Sequence, residues 1–213
     1  MLALTRYYVV LLGHSQRYLP ALLAYLALCV ILYADPNSPP LPLYGVSAGG
    51  LLVVSCWLTI ALLDIEDPVQ RLVTLSHARQ WRRMITGAAL TVLACSLVLT
   101  VITEAWSALK SFKLQPAALG IGLLAHLACV LLGIAIALPC SRLLVHRVGW
   151  TVLAAVLALF VVLLAKIPLV HPLLHALTDE EPVGGPLVLA VVTSVVALGV
   201  SFFVVAKLVQ RRS

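Results

Sequence analysis

The chain has 213 residues, 62% of them hydrophobic and 10% charged, which excludes a water-soluble domain because no soluble core absorbs that much apolar surface. Its formal charge of +6 calls for no nucleic acid, since the basic residues stand at the ends of apolar blocks, where topology and anionic lipid account for them. The blocks reach the roughly 20 residues a helix needs to cross a bilayer and lack the alternation of a membrane β-strand.

These blocks predict an all-α membrane protein, one transmembrane domain over 1–213 built as a bundle of six helices. The first 17 residues, with Tyr7 and Tyr8, precede a first span at Leu19–Ala34. That span is short and borrows Arg17 and Tyr18 at the membrane surface. A cleaved signal peptide is its rival, opposed by the residues ahead of the apolar run and by the lack of a small residue at the start of Leu32-Tyr33-Ala34. The second span, Gly45–Leu63, opens on Gly45-Val46-Ser47-Ala48-Gly49. This matches G-x-S-x-G, but on a helix rather than on the strand-to-helix turn that chemistry needs, with His126 the single base in the later spans.

The segment 64–83 reads as a folded element. Asp67 is placed to cap a helix and Pro68 suits its first position, while Val69, Leu72, Val73 and Ser76 recur on one face and Gln70, Arg71 and Thr74 on the other. Ser76 offers a second cap, after which Arg79, Trp81, Arg82 and Arg83 anchor the entry of the next span. The third span is Met84–Ile102 and the fourth Ala117–Leu138, which carries His126 and a small-residue stripe at Ala125, Cys129, Gly133 and Ala137. The fifth is Val148–Ala165. The segment 166–186 then holds Ile167, Val170, Leu174 and Leu177 at helical spacing, with Pro172 expected to kink it. His171 and His175, four apart and near Asp179, Glu180 and Glu181, have the spacing for a metal from one face, although Pro172 lies between them and a third ligand is missing. The last span is Pro186–Ala206.

Placing the N-terminus inside puts 11 of the 14 basic residues on the cytoplasmic side and leaves Lys110, Lys113 and Lys166 outside. Asp35, Glu104, Asp179, Glu180 and Glu181 then also face out. Both termini are cytoplasmic on this reading. The five cysteines avoid the outer segments, so no disulfide is expected. No Asp, Glu, Lys or Arg falls inside a span, which leaves His126 as the polar centre available to an ion-coupled or passive carrier. There is no G-x-x-x-x-G-K-S/T, so the chain has no ATPase motif of its own.

Taken in order, these features resemble the permease subunit of the type-2 ABC transporters, in particular the small bacterial exporters. Residues Leu2–Leu12 resemble the family's interfacial helix, Asp64-Ile65-Glu66-Asp67-Pro68-Val69-Gln70 the opening of its coupling loop, and Ile167–Leu177 its outer re-entrant element. The resemblance implies a non-enzymatic transport subunit in the plasma (inner) membrane. It pairs with a second permease chain, the same or homologous, and is driven by two copies of an ATP-binding subunit that hold the ATP and Mg. It further implies coupling through Asp67, Pro68, Val69, Gln70, Leu72 and Val73, and an outer gate at Ile167, Val170, Pro172, Leu174 and Leu177. Against it stand the carrier centred on His126 and a scaffold or immunity-type membrane subunit that transports nothing.

Overall fold

A computed structural model describes residues 2–78, 80–110, 116–141, 143, 148–164, 170–179 and 182–212. Among the described residues the chain is helical and has no strand. Its helices are α1 (Leu2–Ser15), α2 (Leu19–Leu32), α3 (Pro40–Ile65), α4 (Pro68–Ala78), α5 (Trp81–Lys110), α6 (Pro116–Cys140), α7 (Val148–Leu164), α8 (His171–Thr178) and α9 (Gly184–Arg212). Prolines open several of them, at Pro40, Pro68 and Pro116, where the absent N–H costs nothing and the fixed φ suits a first turn.

Four helices, α3, α5, α6 and α9, are long and apolar enough to cross a membrane. The expected first span differs. Its helix α2 has 14 residues and meets α1 at 84°, so the two count together as one broken span or not at all. Gln16 makes that corner, ending α1 in the left-handed conformation at φ 53°. The fifth block, α7, has 17 residues, at the lower limit for a span. The chain therefore has four or five candidate membrane-spanning helices by this measure, and all of them fit a membrane protein.

The centre of the bundle is the pair α3 and α6, whose apolar stretches are 72% and 67% buried against 17% for α9. Small residues let their backbones approach. Ala125, Cys129 and Ala137 are fully buried, and a Cβ at Gly133 would collide with Ser55 Oγ and lie 2.5 Å from the Leu52 carbonyl oxygen. The small-residue stripe is thus used inside one chain, against Ala48, Leu52 and Cys56. Helix α9 joins this pair through the hydroxyl of Ser201, which donates to the Ala135 carbonyl at 2.7 Å. Its opposite side leaves Val188, Val192, Val196, Val200 and Phe203 exposed, apolar surface that suits lipid or another membrane helix.

At one end of the bundle α4 is mounted rigidly. The Arg71 guanidinium donates to the Leu63 carbonyl at 2.7 Å, satisfying an acceptor in the last turn of α3. Thr74 donates to Glu66 at 3.0 Å, and Gln70 to the Tyr7 hydroxyl of α1 at 3.0 Å. The α1–α2 corner is tied down similarly, with the Trp57 indole donating to the Arg17 carbonyl and Arg17 to that of Asp64. Ser76 is not a second cap. The helix runs through it to Ala78, and its hydroxyl turns back on the Val73 carbonyl at 2.7 Å.

At the other end α8 lies on α3, where Gly45 leaves room for Leu177 and for the Leu174 carbonyl. Pro172 does not kink this helix. It occupies the first turn, which needs no N–H from it, so α8 begins there as a single short piece. The buried face includes Val170, Leu173 and Leu177; Leu173 extends the expected apolar stripe and Leu174 sits at its edge. Ile167, together with Arg79, Lys113, Arg142, Arg147, Lys166, Glu180 and Glu181, lies outside the described residues.

Candidate functional site

Two places combine chemistry with geometry: the surface of α4 and a buried polar cluster toward the α8 end. On α4 the hydrogen bonds use Gln70, Arg71 and Thr74, which turns Val69, Leu72 and Val73 outward at 70%, 63% and 55% exposure. Asp67 holds the capping position, its carbonyl accepting from the Arg71 N–H at 2.8 Å, and Pro68 opens the helix. Between α4 and α1 runs a groove of about 530 Å³ bordered by Leu4, Tyr7, Val73 and His77. The fold of this chain leaves that apolar face uncovered, a surface that suits lipid or a partner.

The buried cluster draws on four helices. Helix α2 presents Tyr25, Cys29 and Tyr33 at four-residue intervals, so they share one face. Helix α3 adds Tyr44 and Ser47, α6 adds His126, and α5 adds Thr103, Glu104 and Ser107. His126 is fully buried. Its Nδ1 lies 2.7 Å from the Gly122 carbonyl, which can only accept, so Nδ1 carries the hydrogen of the neutral ring and Nε2 is left as an acceptor. Nε2 is 3.0 Å from Ser47 Oγ, and Ser47 Oγ is 3.3 Å from the Tyr33 hydroxyl. On its other side Nδ1 is 3.6 Å from Glu104 Oε1. Tyr44 donates to Ser107 at 3.0 Å, and the Tyr25 hydroxyl meets Thr103 at 2.9 Å.

Glu104, expected in an outer segment, lies on a helix and is largely covered. Spacing ends the third span at Ile102, yet α5 continues for two more turns to Lys110 and turns Glu104 inward. Its carboxylate oxygens are covered by protein and have no hydrogen-bond partner among the described residues. Gly122 of α6 makes the space, since a Cβ there would meet Glu104 Oε1 and the Tyr44 ring. A signal existed in the sequence: Ser96, Thr100, Thr103 and Ser107 recur at helical spacing and are all buried, a polar stripe that runs past Ile102.

The cluster brings a serine, a histidine and an acid into the order used by hydrolases, and the serine is that of G-x-S-x-G. Hydrolysis does not follow. Ser47 and His126 expose no surface, Ser47 sits within a helix rather than on an elbow, and its hydroxyl is also 3.3 Å from the Tyr44 carbonyl.

On α8, His175 Nδ1 is 3.1 Å from Asp179 Oδ2, with both side chains about half exposed. The His171 and His175 rings are 6.1 Å apart. Among the described residues no group of three His, Cys, Asp or Glu is placed to hold a metal. No family model, curated protein or solved structure matches the chain.

Proposed function

We propose that the chain is the membrane-spanning permease subunit of an ATP-driven exporter of the type-2 ABC kind, half of a pathway completed by a second permease chain. On this reading the six apolar blocks are six spans, α1 lies along the membrane interface, α4 is the cytoplasmic coupling helix and α8 is the outer re-entrant element. ATP and Mg belong to two separate ATP-binding subunits. The observation that carries the reading is the mounting of α4: three polar bonds fix it to α3 and α1 while Val69, Leu72 and Val73 face outward. A lever that passes force between subunits needs both properties, a rigid base and a free apolar face.

The experiment is reconstitution. The intact chain should co-purify with an ATP-binding subunit encoded beside it and should raise that subunit's ATP hydrolysis in liposomes; an ATPase that neither binds nor responds would end the reading. Arg71→Ala should separate the two properties of α4. It removes the charge-assisted bond to Leu63, worth about 1.5 to 3 kcal/mol, and leaves the apolar face untouched, so subunit binding should persist while stimulation of hydrolysis falls.

Orientation provides an independent check. Cysteines placed singly at Ser38 and Asp179 on a cysteine-free background should react with an impermeant maleimide in intact cells, and one at Thr74 should react after the membrane is opened. Labelling of position 74 in intact cells would invert the topology.

One observation favours a second reading, an ion-coupled carrier centred on His126: Glu104 stands 3.6 Å from it. A pH gradient alone should then drive uptake into vesicles that contain this chain and no ATPase.

A further inference from the structure

Glu104 is the one acid that α5 carries, and both of its carboxylate oxygens are covered, with no hydrogen bond among the described residues and with His126 Nδ1 3.6 Å from Oε1. The groups around it come from three other helices. From α6 come His126 and the side-chain-free Gly122. From α3 come Tyr44, whose ring packs at the same glycine, and Ser47, bonded to His126. From α2, Tyr33 reaches Ser47, while Tyr25 and Cys29 meet Thr103 beside Glu104 on α5. None of these is a Lys or Arg.

In such surroundings an uncompensated charge of either sign is costly. A bare carboxylate beside a neutral imidazole leaves one negative charge, and a carboxylic acid beside an imidazolium leaves one positive charge. Neutrality requires one dissociable proton on the pair, either as acid with imidazole or as carboxylate with imidazolium. The hydroxyls supply a route for that proton. Ser47 O–H donates to His126 Nε2 and Tyr33 O–H to Ser47, and Tyr33 caps α2 one residue before the exposed Ala34 and Asp35.

We propose that Glu104 and His126 form a proton-binding site inside the bundle, holding one proton between them and loaded from the α8 end through Tyr33 and Ser47. When the bare pair loads, the Ser47 O–H bond breaks as an N–H bond forms at Nε2. Ser47 regains a proton from Tyr33, and Tyr33 regains one from a hydronium ion at the bundle end, which leaves as water. The Nδ1–H stays on the Gly122 carbonyl, and the imidazolium places its positive charge beside the Glu104 carboxylate, 3.6 Å from Nδ1. This site is independent of whether ATP or an ion gradient drives the protein.

The test uses the full-length chain in lipid nanodiscs at neutral pH. Infrared absorption of the carboxylic-acid carbonyl reads the proton on Glu104, and the ¹⁵N shifts of the imidazole read the proton on His126. Carboxyl-labelled glutamate identifies the first signal as a glutamate without any substitution, and Glu104→Gln and His126→Gln assign each signal by its loss. The expected result is one proton in sum, with either an acid signal and a neutral ring or no acid signal and an imidazolium. A bare carboxylate with a neutral ring, or an acid with an imidazolium, would overturn the site. Tyr33→Phe should leave that sum unchanged and slow hydrogen–deuterium exchange at the pair by about a hundredfold, the lower end of what a positioned proton-transfer group contributes. An unchanged exchange rate would overturn the route.

Discussion

Gly133→Leu should leave no folded chain, seen as loss of the monodisperse peak after detergent extraction, while Gly199→Ala leaves that peak intact. At Gly133 the obstacle to a side chain is mainly backbone. An added Cβ would stand 2.5 Å from the Leu52 carbonyl oxygen and 3.2 Å from the Cys56 nitrogen, besides colliding with Ser55 Oγ. Ser55 can rotate away only by giving up its bond to the Leu52 carbonyl, and the backbone of α3 can retreat only if the whole helix does. Overpacking costs about 1 to 3 kcal/mol where neighbours can adjust. Here they belong to the central helix pair, and a leucine would force α3 and α6 apart along the contact that buries Ala48, Leu52, Ala125 and Cys129. A domain stable by about 5 to 15 kcal/mol does not survive the loss of that contact. Gly199 has nothing within 4 Å of the same added atom, so alanine there gains helix propensity and meets no clash. Gly133→Ala should fall between the two, with a lowered Tm.

The pattern that made Gly133 conspicuous, small residues every four positions, was legible in the sequence, as were the long apolar helices, the short helix at 68–78 and the division of its two faces. Each depends on local periodicity, which survives without knowledge of neighbours. What periodicity could not supply was the partner of a given face. The small-residue stripe reads equally as a contact between chains and within one, and only the placement of α3 decides for the latter. Glu104 was misjudged for a related reason. An acid two residues past an apolar block reads as the start of a loop, and its burial depends on Gly122, eighteen residues further on, leaving a gap of the right size. His126 was visible as a lone polar group, but its neighbours came from separate helices and had no signature in sequence spacing. Pro172 was read as a kink because a proline inside an apolar stripe usually interrupts it; α8 takes it into its first turn instead, and residues 165–169 of the stripe ahead lie outside the described residues.

On the proposed permease reading, replacing both Leu72 and Val73 with Asp should abolish co-purification of an ATP-binding subunit while the chain still reaches the membrane at near-normal levels. The two side chains are 63% and 55% exposed in the isolated chain, so the folded subunit gives up little when they change. The bonds that hold α4 in place come from Gln70, Arg71 and Thr74 and remain. Docked into a groove of the partner, a leucine and a valine would contribute roughly 3 to 6 kcal/mol together at about 1.5 to 3 kcal/mol each. Their loss alone lowers affinity by about a hundred- to ten-thousandfold at about 1.4 kcal/mol per factor of ten. The aspartates add the cost of drying two carboxylates in an apolar groove with no cation to meet them. Substrate-stimulated ATP hydrolysis should fall to the level of the free ATPase as a consequence. Val69→Asp, on the same face at 70% exposure, tests how far the footprint extends: a loss of equal size places it at the centre, and a small loss places it at the rim. If the Leu72→Asp, Val73→Asp chain kept its ATPase and full transport, α4 would not be the coupling element, and the carrier centred on His126 would become the better account.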